Sequence, residues 1–314
     1  MMRYWCTAIS SSTKFKHMKN IKGIHKGILL AFVTAIISGF AIFYSKISVA
    51  KIDPLILATT RNSLVGIFFI IYFFATNNIK QLFKLTKKEL ILLFGIGIIG
   101  GSIPFYLFFT GIKLVGAQSA NIIHKSLFVW VAILSIFLLK EKMSMKYLIA
   151  GLLVFIGTYF FTPFKLMFGR GEQFILVATL FWSLENILAK KVLSNTSSEL
   201  VGLFRMFLGG AILLLITLFS GKGKLLTGLS IPQWQTIIIG GSILFFYVFA
   251  WYKALKYAPA SLVALILTFS VVVGNALSGS FAHVSLVRND WLTMAFIIAA
   301  MGILTHRLFV RSHE

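Results

Sequence analysis

Apolar residues dominate ten long stretches of this chain, and short polar segments separate them. The stretches cover 26–49, 53–75, 88–111, 115–139, 146–163, 172–193, 198–220, 233–253, 258–282 and 291–310. Each is close to the roughly 20 residues that a helix needs to cross a bilayer, where it satisfies its backbone polar groups internally. The pattern predicts an all-α integral membrane protein with ten transmembrane helices and no soluble domain between them.

The composition agrees with a membrane environment. Of the 314 residues, 58% are hydrophobic and 12% are charged, and the mean hydropathy is +0.92. The net charge of +22 does not indicate a nucleic-acid partner, because the basic residues lie between apolar stretches rather than on one face of a soluble domain. We therefore expect the lipid bilayer as a partner and no nucleic acid.

The basic residues also predict the orientation of the chain. Most of the 30 Lys and Arg residues lie in the two tails and in the even-numbered connectors. Cytoplasmic loops are enriched in Lys and Arg. Both termini are therefore predicted to be cytoplasmic, in a multi-pass protein of the cell (inner or plasma) membrane.

The N-terminal residues 1–25 are predicted to form a basic cytoplasmic tail. They lack the apolar core and small-residue cleavage site of a secretory signal peptide, and Met18 is an alternative start. Cys6 is the single cysteine, so the sequence predicts no disulfide and no cysteine metal site. We expect no metal and no cofactor.

The second half of the chain repeats features of the first. Arg61 and Gly66 in the second span have counterparts in Arg205 and Gly210, 144 residues later. The same spacing relates Gly27 to Gly171 and Lys46 to Lys190. This agreement in several spans indicates an internal duplication.

The third and eighth spans share a Gly-Gly-Ser run, at 100–102 and 240–242. We therefore predict two five-helix repeats, over 26–163 and 171–310. Because each repeat has an odd number of spans, the two must be inverted relative to each other in the membrane. Inverted repeats are a recurring architecture of secondary transporters.

The connector between the fourth and fifth spans carries a further motif within LLKEKMSMKYLIAGLLVFIGTYF, residues 138–160. Its informative residues are Lys140, Glu141, Lys142, Gly151 and Gly157. Together with an arginine in the second helix of each half, this segment resembles the EamA branch of the drug/metabolite transporter superfamily. The resemblance implies that the first, third, fourth, sixth, eighth and ninth helices line a cavity and that the fifth and tenth are peripheral.

Two features depart from the pattern of that family. The prolines often found in its fourth and ninth helices would fall near Phe128 and Val271, and both are absent. The second half has Phe-Ala-His-Val-Ser at 281–285 where a second glutamate would be expected. We therefore expect helix kinking, and the closure of one half, to differ from the family pattern.

Charged residues inside the spans are candidate functional residues, because each costs at least about 2.5 kcal/mol at bilayer depth. The four clear cases, away from the span ends, are Arg61, Lys125, Glu185 and Arg205. Lys125 and Glu185 are central in the fourth and sixth spans, so both are predicted to lie near the middle of the bilayer.

Helical spacing places polar neighbours beside these two residues. The predicted substrate-binding residues on the two helices are Asn121, His124 and Lys125, and Trp182, Glu185 and Asn186. In one interpretation, Lys125 or His124 binds an acidic group of a substrate and Glu185 binds an amine or a coupling proton. In the alternative, Lys125 and Glu185 only neutralise each other.

Two other repeat-related pairs are candidates. For Arg61 and Arg205, a gating or structural role through hydrogen bonds to helix-end carbonyls is favoured over attraction of an anionic substrate. Tyr106 and Tyr247 are predicted either to stack on a substrate or to face lipid.

These features predict a secondary active transporter, an exporter or permease, of a small polar metabolite such as an amino acid or a nucleoside-like compound. The coupling ion, H+ or Na+, and a homodimeric state are left open. The alternative is a membrane-embedded flippase or enzyme that handles lipid-linked substrates. An enzyme is disfavoured because the clustered acids it would need are missing, and no phosphate-binding Gly-rich loop indicates direct use of ATP.

Overall fold

The computed structural model describes residues 2–76, 79–159, 169–281 and 285–310, and these residues form helices without any strand. The helices of the first half are α1 Met2–Lys51, α2 Pro54–Ala75, α3 Lys87–Gly101, α4 Ile103–Lys125, α5 Leu127–Leu134 and α6 Met145–Tyr159. Those of the second half are α7 Arg170–Val192, α8 Ser198–Phe219, α9 Lys224–Thr227, α10 Ile231–Tyr257, α11 Ala260–Leu267, α12 Ser270–Phe281 and α13 Arg288–Val310. A 3-10 turn at Ile79–Lys84 precedes α3, and a π-helical turn at Ser135–Leu139 follows α5.

Seven helical segments of the described chain are long and apolar enough to cross a membrane. They are Gly23–Lys51, Pro54–Ala75, Lys87–Gly116, Ser119–Leu139, Ser198–Phe219, Ile231–Tyr257 and Ala260–Phe281. The chain is therefore an all-helical, multi-pass membrane protein. The predicted tail 1–25 lies in the first part of α1.

Three of the predicted spans have no counterpart among these seven. The predicted span 146–163 corresponds to α6 and ends in residues outside the described ranges. The span 172–193 corresponds to α7, whose polar and charged side chains lower its hydropathy, and 291–310 corresponds to α13.

Several spans are broken by turns. Gly116, inside α4, has a φ of 82° and separates the segment Lys87–Gly116 from the fourth span, Ser119–Leu139. The fourth span then breaks at Ser126, between α4 and α5, and the ninth breaks at Thr268, between α11 and α12. The breaks lie within three residues of Phe128 and Val271, so these helices break there without proline. At the ninth span, the hydroxyl of Thr268 donates to the carbonyl of Leu265 at 2.6 Å, which competes with the regular helix bonds.

Glycines allow α2, α3 and α8 to pack with their backbones in contact. A Cβ on Gly66 would lie 2.9 Å from the Cα of Phe207, and one on Gly210 would lie 2.8 Å from the backbone nitrogen of Ser63. Phe207 is the 144-residue counterpart of Ser63, so the contact between α2 and α8 is reciprocal. Between α3 and α8, a Cβ on Gly101 would overlap the backbone of α8.

The connector after the fourth span forms hydrogen bonds with the second half of the chain. Lys140 adopts a left-handed conformation with a φ of 54°, and the next residue, Glu141, points at the start of α11. Its carboxylate accepts the N–H of Ala260 at 2.8 Å and the N–H and hydroxyl of Ser261 at 3.2 and 2.7 Å. Glu141 thus caps the N-terminus of a helix that lies 119 residues away in the sequence.

Candidate functional site

A cavity lies between α1, α2, α4, α7, α8 and α10. Among its lining residues are Ser45, Arg61, Phe109, Glu185, Arg205 and Tyr247. It offers about 80 Å³ to the centres of water molecules, and one water needs about 10–15 Å³ on this measure. The cavity therefore has room for several waters or for a small molecule.

On one side of the cavity, Arg205 and Glu185 form a buried ion pair. The Nη1 of Arg205 lies 3.9 Å from Oε2 of Glu185 and donates to the hydroxyl of Tyr252 at 3.3 Å. The same hydroxyl donates to Oε1 of Glu185, and Nε of Arg205 donates to the carbonyl of Gly100 at 3.1 Å. A side chain on Gly100 would collide with Glu185, so the glycine of the Gly-Gly-Ser run makes room for this pair.

The other arginine, Arg61, has only neutral partners. Its Nη1 donates to the hydroxyl of Ser45 at 3.1 Å and its Nη2 to that of Ser48 at 2.9 Å. The guanidinium carbon lies 5.1 Å from the ring centre of Phe109. It packs against Gly240, where a Cβ would lie 2.5 Å from Nη2. Within the described part of the chain, Nε of Arg61 has no hydrogen-bond partner, although the side chain is only 3% exposed.

Aromatic rings and the side-chain amide of Asn186 form part of the wall of the cavity. The indole N–H of Trp182 donates to the carbonyl of Gly100 at 3.0 Å, and that of Trp251 donates to Oδ1 of Asn186 at 2.8 Å. Tyr247 stacks on Trp251, with ring centres 6.1 Å apart and planes 10° apart. The ring of His124 packs edge-on against Trp182 at 5.1 Å. These contacts fix the orientation of rings that line the cavity.

The structure brings seven of the ten predicted site residues to this cavity. They are Arg61, His124, Trp182, Glu185, Asn186, Arg205 and Tyr247. Tyr106 instead packs, half-buried, against the apolar core. Asn121 and Lys125 are not among the lining residues.

Lys125 is 1% exposed, and its Nζ finds no hydrogen-bond partner among the described residues. The ion pair that the sequence left open, between Lys125 and Glu185, is not the one observed, because the carboxylate of Glu185 lies beside Arg205. Glu185 of α7 and Arg205 of α8 neutralise each other instead.

The family resemblance implied that the first helix lines the cavity, but sequence reasoning named none of its residues. Ser38, Ala41 and Ser45 of α1 line the cavity, and their spacing of three, four and seven residues places them on one helix face. This face was a usable signal, but single serines are common in spans. No residue of α11 or α12 lines the described cavity, although the family resemblance implied that the ninth helix would.

Three comparisons with known proteins are consistent with this architecture. The family model of the EamA-like transporter family matches the chain twice, at residues 25–162 and 169–305. An uncharacterized transporter of Bacillus subtilis, YyaM, is 24% identical over 294 residues, which cover 88% of this chain and 93% of the relative. An uncharacterized transporter of Synechocystis, sll1164, is 27% identical over 190 residues, which cover 57% of this chain and 54% of the relative. A solved crystal structure shares the fold, with a TM-score of 0.71 at 16% identity and coverage of 89% of this chain and 95% of its own.

Proposed function

We propose that this chain, which belongs to the EamA-like transporter family, is a secondary transporter of a small polar metabolite. In this proposal the chain crosses the membrane ten times, as two inverted five-helix repeats over 26–163 and 171–310. A site near the bilayer midplane faces the two sides of the membrane in turn.

The observation that carries the proposal is the meeting of two repeat-related arginines at one cavity. Arg61 and Arg205 both line it, each packs against the first glycine of the Gly-Gly-Ser run in the opposite half, and α2 and α8 contact each other reciprocally. Two halves related by a pseudo-twofold axis produce such a reciprocal arrangement. A site on that axis is the place where a transporter of inverted repeats binds its substrate.

Hydrogen bonds between connectors support the ten-span topology. On one side, Glu141 contacts the start of α11, Lys190 donates to the carbonyl of Ala258 at 2.7 Å, and Lys256 donates to that of Thr196 at 3.0 Å. These residues lie at even-numbered connectors. At odd-numbered connectors, Nζ of Lys222 lies 2.9 Å from Asp53, and Gln233 donates to the carbonyl of Lys51.

Ten spans that each cross the membrane would produce this alternation of sides. In this proposal both termini lie in the cytoplasm, because Lys and Arg are in excess at the even-numbered connectors.

The cavity suits a small, polar, partly apolar substrate, because its wall combines charged and amide groups with aromatic faces. Glu185 and Asn186 supply acceptors and donors, and Tyr247 offers a ring face. The coupling ion is H+ or Na+, and the buried carboxylate of Glu185 is the group through which a proton would act. Lys125 is buried beside His124, a lining residue, and is the predicted site residue whose role a substitution tests.

The experiment that tests this function is ligand screening of the purified protein in detergent, followed by uptake into proteoliposomes. Amino acids, nucleosides and other small metabolites are tested for a rise in melting temperature, since a ligand that binds only the folded state stabilises it. Each compound that stabilises the protein is then tested for transport. Absence of any stabilising metabolite and of any uptake would contradict the proposal and favour lipid-linked substrates.

Two variants connect transport with the site. Glu185→Gln and Lys125→Ala are expected to abolish uptake while the protein remains inserted and monodisperse. Glu172→Gln, on the same helix as Glu185, and Lys113→Ala, at an exposed position, are the matched controls and should transport normally. Normal uptake by both site variants would show that the site is elsewhere.

A further inference from the structure

The charges that face the cavity do not balance. Among the described lining residues there are two guanidinium groups, of Arg61 and Arg205, and one carboxylate, of Glu185. Glu185 lies 3.9 Å from Arg205, and both bind Tyr252, so these two charges compensate each other. Arginine remains protonated in proteins, and the charge of Arg61 is therefore left in excess.

The neighbours of Arg61 solvate its charge only weakly. The hydroxyls of Ser45 and Ser48 donate their protons to the carbonyls of Ala41 and Tyr44, at 2.7 and 2.8 Å, so they can offer only lone pairs to the guanidinium. Its Nε–H is left without an acceptor in the part of the chain that the structure describes. A buried charge in this state is costly unless an opposite charge approaches it.

The internal duplication explains why the charge is missing. In the register that relates Arg61 to Arg205 and Lys46 to Lys190, the counterpart of Glu185 is Ala41. Ala41 lines the cavity one helical turn before Ser45, which binds Arg61. The two halves thus hold equivalent arginines, but only the second half supplies a carboxylate.

We infer that the substrate supplies the missing negative charge: the cavity binds a small carboxylate-bearing anion, with the carboxylate on Arg61. This inference rests on the proposed transport function and names the substrate class of the same site. A carboxylate matches the planar fork of a guanidinium, and it can accept the Nε–H that lacks a partner. The apolar part of the anion packs against aromatic rings such as Phe109 and Tyr247.

The test compares three probes of the same size that differ in charge: benzoate, benzamide and benzylamine. Binding to the purified full-length protein is measured by thermal shift over a concentration series. Benzoate is expected to bind at least about tenfold more tightly than benzamide, which is the ratio that one charge-assisted hydrogen bond supports. Arg61→Gln is expected to remove this preference, whereas Arg170→Gln, which removes an exposed arginine, is expected to retain it.

A second variant keeps Arg61 and changes only the balance of charge. Ala41→Glu places a carboxylate at the position equivalent to Glu185, so it should neutralise Arg61 and remove the preference for benzoate. Ala41→Gln introduces a side chain of the same size without the charge. It should therefore retain more of the preference for benzoate than Ala41→Glu does. Because these variants retain the bonds of Arg61 to Ser45 and Ser48, they answer the question even where Arg61→Gln fails to fold.

Several results would overturn the inference. One is equal binding of the three probes, or tighter binding of benzylamine than of benzoate. Another is a preference for benzoate that survives both Arg61→Gln and Ala41→Glu. A third is that neither benzoate nor the smaller acetate binds at high millimolar concentration. Uptake of a neutral metabolite by the wild-type protein together with one of these results would remove the anion site and leave the transport function standing. Absence of any uptake would instead count against the transport function itself.

Discussion

The ion pair between Arg205 and Glu185 allows a quantitative prediction. At 3.9 Å and an effective dielectric constant of about 20, two unit charges attract by about 4 kcal/mol. Removing one partner of a buried pair costs about 3–5 kcal/mol, because the other charge is left without compensation. We expect Arg205→Gln alone to lower the free energy of unfolding by this amount. The double variant Arg205→Gln with Glu185→Gln should recover much of the loss.

The measurement is a double-mutant cycle on the purified protein, with unfolding by SDS in mixed micelles followed through tryptophan fluorescence. The control cycle is the pair Lys222 and Asp53, whose atoms are closer, at 2.9 Å, but whose side chains are 40% and 31% exposed. Solvent screening should hold its coupling energy below about 1 kcal/mol. A coupling energy for the buried pair no larger than that of the control pair would refute the reasoning, because it would mean that Glu185 carries no charge there.

Three further predictions concern other parts of the fold. Glu141→Gln should weaken the cap of α11 by about 1–2 kcal/mol and speed hydrogen exchange at the first turn of α11, which mass spectrometry detects; Glu89→Gln, which changes the capping box of α3 instead, should not. Gly101→Ala should prevent the approach of α3 to α8 and abolish recovery of monodisperse protein, whereas Gly151→Ala, with open space around its Cβ, should change stability by less than about 1 kcal/mol. Asp53→Asn should reduce the free energy of unfolding at neutral pH by up to about 1 kcal/mol, and in acid the variant should be as stable as the wild type. A difference in stability that stays constant across a pH titration of unfolding would contradict this.

The sign of the last prediction follows from the surroundings of Asp53. Burial raises the pKa of its carboxyl, but the hydrogen bond from Lys222 and those from the backbone N–H groups of Leu55 and Ile56 lower it, and the net pKa lies below the ordinary value of 3.8. A carboxyl whose pKa is lower in the folded than in the unfolded state contributes stability above its unfolded pKa. That contribution is lost as the pH falls below 3.8 and through the folded pKa.

The helical membrane fold could be predicted because long apolar stretches have few alternatives in lipid. The internal duplication was readable because arginine is scarce inside spans, so Arg61 and Arg205 stand out. The breaks at Ser126 and Thr268 could not be read in this way. Neither break has a proline, the hydroxyl of Thr268 bonds locally to the carbonyl of Leu265, and serine and threonine also occur in unbroken helices.

Most residues of the candidate site could be predicted, but the cation that forms an ion pair with Glu185 could not. Helix spacing placed Glu185, Asn186 and Trp182 on one face, and they do line one cavity. Which cation lies beside Glu185 depends on how α7 is rotated against α4 and α8, and the sequence pattern of a single helix carries no such information. The closest cation is accordingly Arg205 rather than the similarly central Lys125.

The same family model matches both halves of the chain, and differences between the side chains of the halves help to set which state is favoured. Glu141 is such a difference, since the second half has no glutamate in the corresponding segment 281–285. Its three hydrogen bonds to α11 join the halves on the side of the even connectors. Under the proposed alternating access, opening that side requires these bonds to break. The energy of the Glu141 cap therefore biases the empty protein toward closure on the predicted cytoplasmic side, and a substrate must offset it by binding the other state more tightly.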